Sequence, residues 1–159
     1  MYDRTLEVPR RFAILDAPER LSPIFEEMRR ALDARYDARF VRLSAALYRD
    51  GRDSVAWHGD SIARRMESAL VATISVGAPR KFLLRPVGGG RSIAFTLGWG
   101  DLLVMGGSCQ RTWQHSMPKV ARADPRIAIM FRPSWTAEDP DEPPTNEQEE
   151  LSSSPSDPR

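Results

Sequence analysis

The chain is poor in cysteine, histidine and lysine, and it has no long apolar run. Its 159 residues include one cysteine, Cys109, which excludes an internal disulfide and suits a reducing cytoplasm. No segment approaches the ~18 consecutive apolar residues of a membrane-spanning helix, so no membrane association is expected. The first residues, Met-Tyr-Asp-Arg-Thr-Leu-Glu, lack the apolar centre of a secretion signal. Lys81 and Lys119 are the only lysines; every other base is arginine, the better bidentate partner for carboxylate and phosphate.

The charge that is present is unevenly distributed, and the formal net of +1 hides the split. From Ser134 to Arg159 eight acids face one base, a net of −7, so the preceding 133 residues hold 22 bases against 14 acids, a net of +8. Residues 134–159 also hold five prolines and the run Ser152-Ser153-Ser154, with Leu151 the only aliphatic after Ala137. Such a segment has too little apolar surface to offset its ordering entropy, and it reads as a disordered, solvated tail in preference to a regulatory arm. Residues 1–133 suit one domain, and the overall 41% hydrophobic and 28% charged content is that of a globular protein.

Ser22-Pro23 looks like a helix N-cap followed by a proline at the first helical position. Ile24, Phe25, Met28 and Leu32 then recur at helical spacing, with Glu26, Glu27, Arg29, Arg30 and Asp33 on the other face. The pattern predicts a supporting helix over 23–34 whose apolar stripe packs on a core. Beyond it, short apolar runs are broken by glycine and proline. The expected strands are Phe40–Tyr48, Leu70–Val76, Lys81–Pro86, Ser92–Leu97, Asp101–Met105 and Arg126–Phe131. Many short strands with glycine turns predict a mainly β fold, an antiparallel sandwich or barrel.

Both histidines sit in suggestive contexts. In extended chain, residues i and i+2 point the same way, so His58 and Asp60 in Trp57-His58-Gly59-Asp60 can grip one ion. His115, arriving from a distant strand, would complete two imidazoles and a carboxylate, a set that leaves one face of an octahedral Fe(II) open. Arg126 and Arg132 bracket Ile127–Phe131, and a separation of six puts both on one strand face. Buried guanidiniums need anions, for which a dicarboxylate cosubstrate is a natural partner. The alternative is one arginine on a structural acid and the other at a sheet edge.

The stretch from Leu47 through Tyr48, Asp50-Gly51 and Trp57-His58-Gly59-Asp60 resembles the metal-binding segment of the AlkB family, Fe(II)- and 2-oxoglutarate-dependent dioxygenases that repair alkylated nucleic acids. Further matches follow in order at Gly77–Arg85, Gly100–Met105, His115–Lys119 and Arg126–Arg132, and the resemblance spans about Val8 to Pro133. It implies a double-stranded β-helix (jelly roll) with iron at one mouth. It implies His58, Asp60 and His115 as Fe(II) ligands, Arg126 and Arg132 on the carboxylates of 2-oxoglutarate, and Tyr48 hydrogen-bonding the cosubstrate. It also implies O2-dependent oxidative dealkylation of N-alkylated DNA or RNA bases, with release of succinate, CO2 and an aldehyde. The flipped base would stack partly on His58.

The expected partner is nucleic acid, and a monomer is expected. Arg80 and Arg85 match an arginine pair of the nucleic-acid-acting branch: if exposed they contact phosphate or base, and otherwise they are strand arginines paired with acids such as Asp101. Of Met105, Trp57, Trp99 and Trp113, most read as core, and Met105 is assigned to the substrate pocket. The basic N-terminal third, with Arg10, Arg11, Arg29, Arg30, Arg35, Arg39 and Arg42, would favour a polyanion, although a solvated helix face explains Arg29 and Arg30 equally well.

Three features depart from the family pattern. Most members have asparagine two residues before the tyrosine; Ala46 stands there, removing a hydrogen bond worth roughly 0.5–1.5 kcal/mol to the cosubstrate. Many members follow the metal aspartate with further acids, where this chain has Ser61-Ile62-Ala63-Arg64-Arg65. Members also carry additional residues, with part of a nucleotide-recognition lid, before the segment matching Val8-Pro9-Arg10. Either that lid is reduced or Met1 is an internal or misassigned start.

Overall fold

The computed structural model describes residues 9–15, 21–60, 63 and 67–133; the acidic tail expected over 134–159 lies outside the described residues. Nine strands and two helices occur among them, in the order β1 (Arg11–Ile14), α1 (Pro23–Tyr36), β2 (Phe40–Tyr48), β3 (Val55–His58), β4 (Val71–Gly77), β5 (Arg80–Pro86), β6 (Ile93–Leu97), β7 (Leu102–Met105), α2 (Cys109–Thr112), β8 (Trp113–Met117) and β9 (Arg126–Pro133). They form a five-stranded sheet, β1-β2-β9-β4-β7, and a four-stranded sheet, β3-β8-β5-β6. Every pairing is antiparallel. This is the expected jelly roll, with a site between two inner faces. Among the described residues no helix is long and apolar enough to cross a membrane.

Helix α1 begins with Pro23 after an extended Ser22 (ψ 141°), as its sequence predicts, although the Ser22 side chain makes no capping hydrogen bond. It runs two residues past the predicted end because the chain turns only at Asp37, which is left-handed (φ 48°, ψ 47°). Asp33 then accepts a hydrogen bond from the Phe40 amide at 2.8 Å and fixes the entry to β2. Leu32, Phe25 and Met28 pack over Phe40, Ala72, Ile129 and Phe131 on the outer face of the larger sheet. The half-buried Arg29 pairs with Glu26 and Asp33 and the exposed Arg30 with Glu26 along the helix, which favours the helix-face reading for both.

Strand β2 coincides with its predicted range, and the other five predicted strands differ by one or two residues at an end. Three strands absent from the expected set, β1, β3 and β8, have four or five residues each. They are too short to establish an alternation, and β8 (Trp-Gln-His-Ser-Met) carries polar residues at its centre. Two irregularities adjust which side chains face inward. The register shifts between Phe40 and Arg42, so Phe40 joins the helix-side core while Ala46 and Tyr48 join the core between the sheets. A second shift between Val55 and His58 lets both line the inter-sheet cavity despite their odd spacing.

Gly77 ends β4 with φ +102°, opposite Arg126 in the ladder. A Cβ there would stand 2.5 Å from the Pro125 carbonyl oxygen and 3.1 Å from the Arg126 Cα, against backbone that cannot swing away. Gly77→Ala should therefore lose roughly 1–3 kcal/mol of stability, read by denaturant titration, through left-handed strain and displacement of the start of β9. A change below about 0.5 kcal/mol would contradict this account of the turn.

Candidate metal centre

β3 and β8 are neighbours, and their register puts His58 opposite His115. The rings lie 4.2 Å apart between centroids, tilted by 53°. Two residues beyond His58, Asp60 turns inward as the i, i+2 spacing predicts, and one ligand atom from each of His58, Asp60 and His115 lies within 4.8 Å of the others. Three donors at that separation suit a single cation between them. The Nδ1 of His58 is 2.8 Å from the Ala56 carbonyl oxygen, which can only accept. Nδ1 therefore carries the proton and Nε2 presents its lone pair. His115 is buried and stacks on Phe82, with ring centroids 5.4 Å apart.

Electrostatics place His115 and Asp60 in ligand-ready states. Burial, reinforced by repulsion from His58, lowers the His115 pKa to about 4, so its imidazole is neutral near pH 7. For Asp60 burial alone raises the pKa, but the adjacent Arg132 guanidinium overrides it, with help from His115 and His58, and the carboxyl stays below its ordinary value. Arg132 donates from Nε to Asp60 at 2.8 Å and from Nη1 to Ser44 Oγ at 3.0 Å.

The same cavity holds an anion-binding end. Arg126, Ala128, Met130 and Arg132 all point into it from β9, as the separation of six predicts. Arg126 is 1% exposed and has no carboxylate partner among the described residues. Its Nη2 donates to Ser75 Oγ at 2.7 Å and its Nη1 approaches Met117 Sδ at 3.4 Å, while Nε has no partner. Burial lowers its pKa. Tyr48 is buried beside it, 5.6 Å from ring centroid to guanidinium carbon, and its hydroxyl accepts from Arg10 at 3.0 Å. A buried cation with an orphaned donor fits an acid group of a ligand, so the residues present suit both Fe(II) and a dicarboxylate.

The other predicted site residues divide. Met105 lines the cavity. Arg80 does not: it is 3% exposed, and its guanidinium donates to the carbonyls of Asp50, Asp53 and Pro118 at 2.9–3.1 Å. That corrects its assignment to the substrate surface. It is a structural arginine, held by backbone carbonyls through its two terminal nitrogens while its buried Nε has no partner, and Asp101 does not pair with it but accepts from the Gly98 amide. Arg85 lies opposite Gln114 and points away from His115, stacked 4.1 Å over the Trp57 ring and donating to Gln114 Oε1. It thus lies half-buried on the outer face of the smaller sheet, outside the cavity lining, and is paired with a glutamine instead of an acid such as Asp101. Trp99 is 77% exposed and so is not core.

Ala46 is fully buried opposite Ala128, so the missing polar group is replaced by two methyls packed beside Tyr48. Sequence reasoning missed Ser44, Thr73 and Ser75, although polar residues at alternate positions of the apolar strand Val71–Gly77 were a signal for an inward polar face. It also assigned Arg10 to a surface patch, whereas Arg10 lines the cavity.

The neutral state of His115 sets a pH dependence for the metal-free protein. Unfolded, this imidazole takes up a proton below its ordinary 6.5; folded, it does so only near 4. Stability is therefore full above about 6.5, falls as pH drops from 6.5 to 4, and is not lowered further by this group below that. Thermal melts should show Tm falling across that window, with a shallower fall for His115→Gln. Equal slopes would contradict the assignment.

Comparison with known proteins agrees with this geometry. Residues 5–146 match the profile of the 2OG-Fe(II) oxygenase superfamily. The chain is 31% identical over 120 residues to human alpha-ketoglutarate-dependent dioxygenase alkB homolog 3, covering 69% of this chain and 42% of that protein. It is 32% identical over 136 residues to the Arabidopsis thaliana DNA oxidative demethylase ALKBH2, covering 68% of this chain and 43% of that protein. It thus spans less than half the length of these relatives. The fold resembles the structure of OsALKBH1, with TM-score 0.60 at 14% identity over 79% of this chain and 78% of that one. It also resembles a prolyl hydroxylase from Trichoplax adhaerens, with TM-score 0.60 at 11% identity over 91% of this chain and 67% of that one. The chain belongs to the 2OG-Fe(II) oxygenase superfamily, and the curated relatives it resembles within that superfamily are alkB homologs.

Proposed function

We propose that this protein oxidatively dealkylates N-alkylated bases in DNA or RNA, using Fe(II), O2 and 2-oxoglutarate. The observation that carries the reading is one cavity holding His58, Asp60 and His115 within 4.8 Å of one another and, on the facing sheet, a buried Arg126 with an orphaned donor. His58 Nε2, the Asp60 carboxylate and His115 would hold the iron. Arg126, backed by Ser75 and Tyr48, grips the far carboxylate of 2-oxoglutarate. Arg132 orients Asp60 through Nε and, with Nη1 on Ser44 Oγ and Nη2 facing Met130 Sδ, would stand beside the cosubstrate as a second positive charge. Bound iron supplies O2 activation, coupled to conversion of 2-oxoglutarate into succinate and CO2 and to hydroxylation of the alkyl carbon, which leaves as aldehyde. His58 and Met105, both at the cavity, bound the space for the alkylated base.

A nucleic-acid substrate is supported by the excess of eight bases in residues 1–133 and by likeness to a relative named as a DNA oxidative demethylase. Anaerobic addition of Fe(II) and 2-oxoglutarate should produce a weak visible charge-transfer band, and methylated oligonucleotides should then release formaldehyde in air. No band at high cosubstrate would overturn the oxygenase reading. A band without formaldehyde would move the same chemistry to another substrate. His115→Ala should abolish turnover.

Arg126→Met should raise the Kd for 2-oxoglutarate at least about thirtyfold, since truncating a buried charged partner costs about 2 kcal/mol or more. The unloaded variant should be as stable as the wild type or more so, because an uncompensated buried charge has gone. Unchanged affinity by calorimetry would remove Arg126 from the cosubstrate site.

A further inference from the structure

Gln110 belongs to no group so far described, yet it is 1% exposed and among the largest fully buried side chains. It lies on the single-turn α2, which leads directly into β8, the strand of His115. Its Oε1 accepts a hydrogen bond from the backbone amide of Asp60 at 3.0 Å, across 50 residues of sequence. Its Nε2 approaches the thioether of Met105 at 3.6 Å. The Asp60 amide needs such an acceptor, because Asp60 lies past the end of β3, whose ladder with β8 stops at His58 opposite His115. Without Gln110 this amide would be an unsatisfied donor beside a metal ligand.

We propose that Gln110 is a positioning residue of the metal centre: it clamps the backbone of the carboxylate ligand to the segment that carries His115, fixing the separation of the two. The proposal rests on the metal-site reading above. Two restraints then act on Asp60 from opposite directions. Arg132 orients its carboxylate, and Gln110 holds its backbone, so the carboxylate oxygen meets a preset point instead of swinging on a free loop. The amide suits the position chemically. Its oxygen faces an N–H and its nitrogen faces a sulfur acceptor, so both ends are used, whereas a leucine of similar size satisfies neither. Partners that orient metal ligands in this way typically change metal affinity by 10–100-fold when removed.

The test is titration of the metal-free full chain with Co(II) or Mn(II) alone, without cosubstrate, alongside thermal melts of the metal-free proteins. Gln110→Leu should weaken metal binding by about tenfold or more and alter the visible spectrum of the Co(II) form, in addition to the lower metal-free Tm that an unsatisfied Asp60 amide brings. Gln110→Glu, which keeps the acceptor facing the Asp60 amide, should recover most of the affinity. Wild-type affinity in Gln110→Leu, or a Gln110→Glu as weak as Gln110→Leu, overturns the proposal.

Should Gln110→Leu fail to fold, amide hydrogen exchange of the wild type still decides. The Asp60 amide, though outside any strand, should be protected like a core-strand amide in the metal-free protein, and fast exchange would overturn the clamp. A wild type that binds no metal would instead overturn the metal-centre reading itself, and this inference with it.

Discussion

Burying two guanidinium groups on one face of a central strand is the constraint around which the structure is arranged. β9 is the middle strand of the larger sheet, and its side chains alternate between Arg126, Ala128, Met130 and Arg132 inward and Ile129 and Phe131 outward. The outer face must be covered by something apolar, and α1 supplies that cover with Leu32, Phe25 and Met28. The inner face must offer polar partners in low dielectric, where an unpaired charge is unfavourable by several kcal/mol. Arg132 finds Asp60 and Ser44, but Arg126 finds only a hydroxyl and a thioether. That deficit is what an incoming carboxylate would relieve, and Arg126, unlike the similarly buried Arg80 with its three main-chain carbonyls, lines the cavity from which one could come.

The two sheets divide the chemistry. The smaller sheet carries the imidazoles, His58 on β3 and His115 on β8, while the larger carries the groups proposed to hold the cosubstrate, Tyr48, Ser75, Arg126 and Arg132 on β2, β4 and β9. One contact of Asp60's short segment joins these halves, its carboxylate reaching across to Arg132, while its backbone amide is held on the side of the smaller sheet by Gln110 from α2. A sandwich whose sheets slid relative to each other would lose metal and cosubstrate geometry together. The buried ion pair between Asp60 and Arg132, with both side chains 16% exposed, is accordingly better understood as a register device than as a source of net stability.

How much of this was legible in the sequence depended on whether the signal was local. Phe40–Tyr48 was read to its ends because nine residues suffice to establish period two. The spacings His58–Asp60 and Arg126–Arg132 were legible for the same reason, since parity along a strand decides which side chains share a face. The bulge between Val55 and His58 was not legible, because a register shift leaves no mark on residue type. Arg80 was misread because its acceptors are main-chain carbonyls, which every residue has, so no neighbouring acid announces its burial. Gln110 was invisible for a different reason: its partner is 50 residues away, and an isolated glutamine between Cys109 and Arg111 carries no pattern at all.

Pairing and burial redistribute the basic excess of residues 1–133 without reducing it. Each ion pair, such as Arg49 with Asp53 or Arg52 with Asp50, removes one base and one acid from local availability, so the excess of eight bases survives unchanged as a long-range field. Loading the site leaves it unchanged as well, because the two positive charges of Fe(II) equal the two negative charges of 2-oxoglutarate. Attraction of a polyanion is thus independent of whether the centre is loaded, and steering cannot select for the competent enzyme. Arg80, Arg126 and Arg132 contribute to that field from inside, without reaching a phosphate. The salt dependence of binding to the proposed nucleic-acid substrate would count phosphate contacts, not net charge, so its slope would be shallower than the arginine content suggests.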